Sequence, residues 1–195
     1  MLDSVFEVIF VIGFVVGCVI RAVYTRGCKQ NTVTDVRETG LEKLLMGLAA
    51  IGLLVLPLLY VLTPRLDFAD YHLPTWAGWL GAPVFAVALW LLWRSHADLG
   101  RNWSARVEIR EGQSLVTDGV FRHIRHPMYA AHWLWAMAQA LLLHNWIAGP
   151  ALLATFLPLY LVRVPREEQM MLEQFGEEYP SYMSRTGRII PRLSR

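Results

Sequence analysis

With 195 residues, 55% of them hydrophobic and only 17% charged, the chain is too apolar for an ordinary soluble domain. Its net charge of +2 excludes the strongly basic balance of a nucleic-acid binder, and the placement of its basic residues points to anionic lipid headgroups as their neighbours. Of its two cysteines, Cys18 falls in an apolar stretch and Cys28 in a loop, which gives no disulfide framework.

Five segments approach the ~20 residues needed to cross a hydrocarbon core. They run from Val5 to Tyr24, Leu44 to Thr63, Trp76 to Trp93, Met128 to Leu143 and Trp146 to Val164. The first lacks a basic leader and a small-residue cleavage site, so it reads as a retained span. Glu7 sits near its outer end, where the carboxylate reaches the interface. Trp76 and Trp79 at one end of the third segment, with Trp90 and Trp93 at the other, read as interfacial belts. The fourth segment is short and carries His132 and Gln139. A soluble helical bundle is the weaker alternative.

Lysine and arginine concentrate in cytoplasmic loops. They cluster between segments one and two, between three and four (Arg94 to Arg125) and in the tail after segment five, whereas the other two connections contribute only Arg65. The expected architecture is therefore an all-α integral membrane protein of five transmembrane helices, N-terminus outside and C-terminus cytoplasmic. It forms one membrane domain over residues 1–195: three N-terminal spans (1–93), then a part (94–195) holding the last two spans, a cytoplasmic loop and the tail.

Within that loop, the alternation of Val107 and Ile109 with Glu108 and Arg110 predicts a short extended segment. Gly112 and Asp118-Gly119 are turn signals around Ser114–Thr117, so a hairpin-like cap is expected. Pro127 suits the first turn of the fourth helix, where its missing N–H costs nothing. After the fifth span, residues Glu167 to Tyr179 predict a surface helix that Pro180 ends.

The fourth and fifth spans, joined at His144-Asn145, are expected to be antiparallel neighbours. That would bring His126 and Tyr129 beside Arg163, Glu167 and Glu168 at one membrane face, just after Arg122, His123 and Arg125. Cations, paired acids, imidazoles and a phenol in one place suit a zwitterionic ligand: its carboxylate would face Arg or His, its ammonium and hydroxyls Glu. Taken singly, each of these residues reads as a snorkelling or solvated charge. Together they read as a site.

Gly119-Val-Phe-Arg-His-Ile-Arg-His-Pro-Met-Tyr129 followed by Arg163-Val-Pro-Arg-Glu-Glu168 resembles the isoprenylcysteine carboxyl methyltransferase family, especially its small prokaryotic members. The similarity runs from about Asn102 to Pro191 and includes Trp103-Ser104, Gly112, Leu115-Val116 and Phe175–Tyr179. It implies a membrane enzyme that uses S-adenosylmethionine, releases S-adenosylhomocysteine, needs no metal and faces its active site to the cytoplasm. The matching cofactor positions are His126, Pro127, Tyr129, Glu167 and Glu168, with His123 beside them and Leu115, Val116 and Gly119 as contacts to adenine and ribose. Arg125 and Arg163 would orient the methionine carboxylate or an anionic substrate. Ala131 stands where many relatives have glycine.

A carboxylate acceptor needs no general base, whereas an amine or thiol would call on His132 or Glu168. The expected acceptor is a lipophilic or lipidated molecule entering from the membrane, most simply a prenylcysteine-like carboxylate. Phospholipid amine N-methylation and transfer to a small thiol are alternatives of the same reaction type. A sterol-reductase-like NADPH enzyme, a lipid-binding protein and a haem protein are alternatives of other classes. His126 and His132, six apart, share no helical face for paired ligation.

Overall fold

Helix α1 (Val5–Gly27) turns Phe6, Phe10 and Phe14 inward at four-residue intervals and leaves Ile12, Val15 and Val19 exposed. The computed structural model describes residues 5–27, 33–36, 39–100, 108–110 and 114–192. Cys28, Trp103, Ser104, Val107 and Gly112, singled out above, lie outside the described residues. Next come α2 (Gly40–Ala50), a π-helical stretch (Ile51–Val55) and α3 (Leu56–Leu62), which together make one continuous rod. Helix α4 (Thr75–Leu99), α5 (Pro127–Leu142), α6 (Ala151–Phe175) and α7 (Glu178–Arg185) complete the chain.

Among the described residues, three stretches are long and apolar enough to cross a membrane: Val5–Thr25, Gly40–Leu62 and Thr75–Leu99. Their outward faces are apolar, with Leu44 and Leu62 both 70% exposed, as a lipid-facing surface requires. Helix α5 has sixteen residues, and α6 carries Arg163, Arg166, Glu167 and Glu168 in its second half.

The core is an aromatic stack joining α1, α4 and α5. Phe85 lies 5.7 Å from Phe10 and 4.9 Å from Trp135, ring centre to ring centre. Close approach is possible because α1 has glycine at the contact: a Cβ on Gly13 or Gly17 would run into the rings of Phe85 or Trp135.

The π stretch has a local cause. In its register the Leu56 N–H bonds Ile51 O, so Gly52 O would look to residue 57, which is a proline without an N–H. The buried Gln139 amide fills the gap, donating to Gly52 O at 3.1 Å and to Ala148 O at 2.7 Å. Gln139 in the short fourth segment is thereby explained as packing chemistry between α5 and the rod.

Four boundaries differ from expectation. The α5–α6 connection is not a two-residue turn: α6 starts at Ala151, and Trp146 is 70% exposed. Asn145 organises this loop, donating to Leu66 O at 2.7 Å and Asp70 Oδ1 at 2.8 Å while its Oδ1 accepts from Ile147 and Ala148. Helix α6 runs through Pro165 to Phe175 instead of ending near Val164. Pro180 does not end a helix; it sits in the first turn of α7, where no N–H is needed.

The fourth difference lies in the cap. Strand β2 (Glu108–Arg110) does not fold onto Ser114–Thr117 but pairs antiparallel with β1 (Val33–Val36), ahead of α2. The two loops on one side of the helices thus share a short ribbon, which a reading of local turn signals does not find.

Candidate active site

The site starts from the entry to α5. Pro127 is its first residue and His126 the residue before it, so His126 and Tyr129 share the opening turn. The strand-like stretch before them is fixed by the tail: Arg125 N–H donates to Gly187 O at 2.8 Å and His126 N–H to Arg188 O at 2.9 Å, while Gly187 N–H donates to His123 O at 3.1 Å. Tyr182, its hydroxyl pushed up to about 12 by burial, stays protonated and donates to Phe121 O at 2.7 Å. The last residues of the chain therefore lock the approach to α5.

On α6, Arg163 and Glu167 are one turn apart and joined by a 2.8 Å bond from Nε to Oε1. Tyr129 donates its hydroxyl to the same Oε1, also at 2.8 Å. His126 stands between the two acids, with Nδ1 3.8 Å from Glu167 Oε2 and Nε2 3.2 Å from Glu168 Oε1. So His126, Tyr129, Arg163, Glu167 and Glu168 form one connected cluster.

Glu168 faces away from the others' common space. It is 5% exposed and receives Arg125 through Nε and Nη2, both at 3.2 Å, together with Arg188 and His126. Burial pushes its carboxyl up, but the hydrogen bonds from His126 and Arg188 outweigh it and hold the group at about 2. A carboxylate so held is a weak base, and its position is that of an anchor for three cationic or imidazole side chains. Arg125 is equally committed: beyond Glu168, its Nη1 donates to Thr186 O at 2.5 Å and Met183 O at 3.3 Å.

In front of the cluster lies a cavity of about 750 Å³, a size usual for a small-molecule site. Glu167, Arg163, Tyr129, His126 and Arg125 line its charged end, and Leu115 and Val116 line it from the cap. Phe175, Tyr179 and Tyr182 close it from the tail, and Phe14, Trp135 and Phe156 form walls among the helices. His132 also lines it, with Nδ1 2.7 Å from Met128 O and its ring stacked on Phe156.

Two candidates stand elsewhere among the described residues. Gly119 has a positive φ of 60°, and a Cβ there would strike the Asp98 carboxylate; the Val120 N–H donates to that carboxylate at 2.9 Å. Its glycine is explained by this turn against α4. His123 is exposed and takes part through its backbone carbonyl.

Sequence reasoning passed over two residues. Arg188, one basic residue among several in the tail, reaches Glu168. Arg21 lies inside the first span and lines the cavity. An arginine within an apolar span is itself a signal, and counting charges in loops alone ignores it.

The model of the isoprenylcysteine carboxyl methyltransferase (ICMT) family matches residues 79–173, the stretch that supplies His126, Tyr129, Arg163, Glu167 and Glu168. Over these residues, just under half of its length, the chain is similar to that family. Protein-S-isoprenylcysteine O-methyltransferase B of Arabidopsis thaliana is 31% identical over 94 residues, 47% of this chain and 48% of the relative. The Homo sapiens protein-S-isoprenylcysteine O-methyltransferase is 32% identical over 90 residues, 46% of this chain and 32% of its own. Protein-S-isoprenylcysteine O-methyltransferase A of Arabidopsis thaliana is 26% identical over 140 residues, 71% of each chain. The chain spans about half or less of the length of the first two. The solved structure of the eukaryotic intramembrane Ras methyltransferase ICMT superposes with a TM-score of 0.53 at 23% identity, over 81% of this chain and 55% of that one. That likeness concerns the fold, an integral membrane fold that includes helices outside the family-matched stretch.

Proposed function

We propose that this chain is a member of that family, an integral membrane methyltransferase that uses S-adenosylmethionine to esterify the carboxylate of a prenylcysteine-like lipid. The observation that carries the reading is the cavity: a charged cluster at one end and apolar helix walls at the other. A donor that is a charged zwitterion and an acceptor that is a lipid call for such a divided space. We further read α5 and α6 as the last two of five crossings, with the cluster at the cytoplasmic face, on the strength of the basic loops.

The residues present fit the donor. Glu167, with Tyr129 and His126 around it, is suited to an ammonium and to hydroxyls. Leu115 and Val116 offer an apolar wall for a flat base. When bound, S-adenosylmethionine supplies a methyl activated by its sulfonium, open to in-line attack by an oxygen anion. The chain's part is to hold, orient and exclude water, with the tail helix α7 serving as the lid over the charged end.

The geometry favours a carboxylate acceptor over an amine or thiol. An amine must lose a proton, yet Glu168 is withdrawn and strongly acidic and Glu167 is occupied by Arg163 and Tyr129, which leaves His132 on the cavity wall as the base an amine would need. A carboxylate arrives ionised and makes no such demand.

S-adenosylhomocysteine is expected to raise the melting temperature of the detergent-solubilised chain, by mass action on the folded state, while NADPH is expected to leave it unchanged. Stabilisation by NADPH alone would overturn the methyltransferase reading.

A further inference from the structure

We infer that Arg21 of α1 is the residue that receives the acceptor's carboxylate, an inference that rests on the methyl-transfer reading above. The cations of the site differ in one respect. Arg125 and Arg188 are bound to Glu168, and Arg163 to Glu167. Among the described residues, the Arg21 guanidinium has no hydrogen bond and no carboxylate partner. The groups within electrostatic reach of it are Cys18, Arg163, His96 and His132, none of which is an acid.

Holding an unpaired guanidinium inside an apolar span is costly, and such residues face a cavity or a path for a charged ligand. Arg21 and Glu7 are the only charged residues in Val5–Thr25, and Arg21 lines the cavity. The wall there carries one positive charge that the protein does not answer. An anionic ligand would answer it.

The choice between the donor's carboxylate and the acceptor's follows from α1 itself. Phe14, Gly17, Cys18, Arg21 and Thr25 all line the cavity, and their spacing of three and four puts them on one helix face. Toward the middle of the helix this stripe is apolar; at Arg21 it becomes cationic. A lipid lying along it would place its chain over Phe14 and Gly17 and its anionic head at Arg21. The charged cluster at Glu167, by contrast, is built by α5 and α6, and the cap adds Leu115 and Val116 beside it. The arrangement also separates acceptor from product. A carboxylate pairs with Arg21, and its methyl ester, being neutral, does not. Arg21 lies outside residues 79–173, so the family-matched stretch does not contain this element of recognition.

The test compares N-acetyl-S-farnesylcysteine with its carboxyl amide, as ligands of the full detergent-solubilised chain, alongside S-adenosylhomocysteine. The wild-type chain is expected to bind the acid about tenfold tighter than the amide, as suits a hydrogen-bonded ion pair. Arg21→Met is expected to abolish that ratio while leaving affinity for the amide and for S-adenosylhomocysteine within about twofold, and Arg21→Lys, which keeps the charge, is expected to retain most of it. Unchanged S-adenosylhomocysteine binding also reports that the variants are folded. A ratio preserved in Arg21→Met would overturn the inference. So would selective loss of S-adenosylhomocysteine binding, which would assign Arg21 to the donor. If the wild-type chain binds neither acid nor amide yet still binds S-adenosylhomocysteine, the acceptor class proposed above fails, and this inference with it.

Discussion

Replacing Glu168 by alanine is expected to lower the melting temperature of the solubilised chain by roughly 6–12 °C, from a loss of about 3 kcal/mol at about 2–4 °C per kcal/mol for a chain of this length. The residue is 5% exposed and holds Arg125, His126 and Arg188 together, so its removal takes the acceptor from Arg125 Nε and Nη2 and from His126 Nε2, on two nearly buried side chains. The figure is taken at the low end for a buried pair because Arg188 is 46% exposed and screened by solvent. The tail should loosen with it, since Arg188 joins residues 187–188 to the start of α5. The pH dependence gives a second readout. A carboxyl held at about 2 in the fold, against an ordinary value of 4.5, contributes its full stabilisation above pH 4.5 and loses it as pH falls toward 2. Thermal scans across that window should show an acid limb in the wild-type chain that is shallower in Glu168→Ala. An unchanged melting temperature and an unchanged acid limb would remove the anchoring role.

Glu167→Gln is expected to do the reverse, sparing stability and impairing ligand binding. The glutamine can still accept from Tyr129 or Arg163, so the helix pair remains bridged. What disappears is the negative charge at the cavity's polar end. Hydrogen bonds to a charged group are worth about 1.5–3 kcal/mol, so affinity for S-adenosylhomocysteine should fall about 10- to 100-fold. The melting temperature without ligand should move less than in Glu168→Ala. Titration of S-adenosylhomocysteine into the two variants, with melting curves on both, separates the roles. Equal affinity in Glu167→Gln and the wild-type chain would show that the donor's polar groups lie elsewhere.

Much of this arrangement could be read from the residues. Hydropathy marks α1, the α2–α3 rod and α4 because lipid-facing helices must be apolar over their whole length. Pro127 marks the start of α5, and antiparallel packing of consecutive helices brings Tyr129 and His126 to Glu167 and Glu168. What could not be read depends on contacts distant in sequence. The pairing of residues 187–188 with 123–126 and the ribbon between β1 and β2 join segments that carry no local sign of one another. The fifth segment was expected to end near Val164, whereas α6 continues through Pro165 to Phe175. Gly119 takes a positive φ in a turn against Asp98, a backbone demand that the sequence does not reveal without its partner on α4. Arg21 is legible from its place inside the first apolar segment, because an arginine there needs a cavity or a polar partner to face.

Under the proposed function, a methyl group passes to the carboxylate of a lipid. That transfer is tested most directly by incubating the solubilised chain with S-adenosylmethionine labelled in the methyl, offering N-acetyl-S-farnesylcysteine or phosphatidylethanolamine. Label is expected in the farnesylcysteine extract that mild base releases as methanol, because an ester is base-labile. Base-stable label, or label in phosphatidylethanolamine with none in farnesylcysteine, would contradict it.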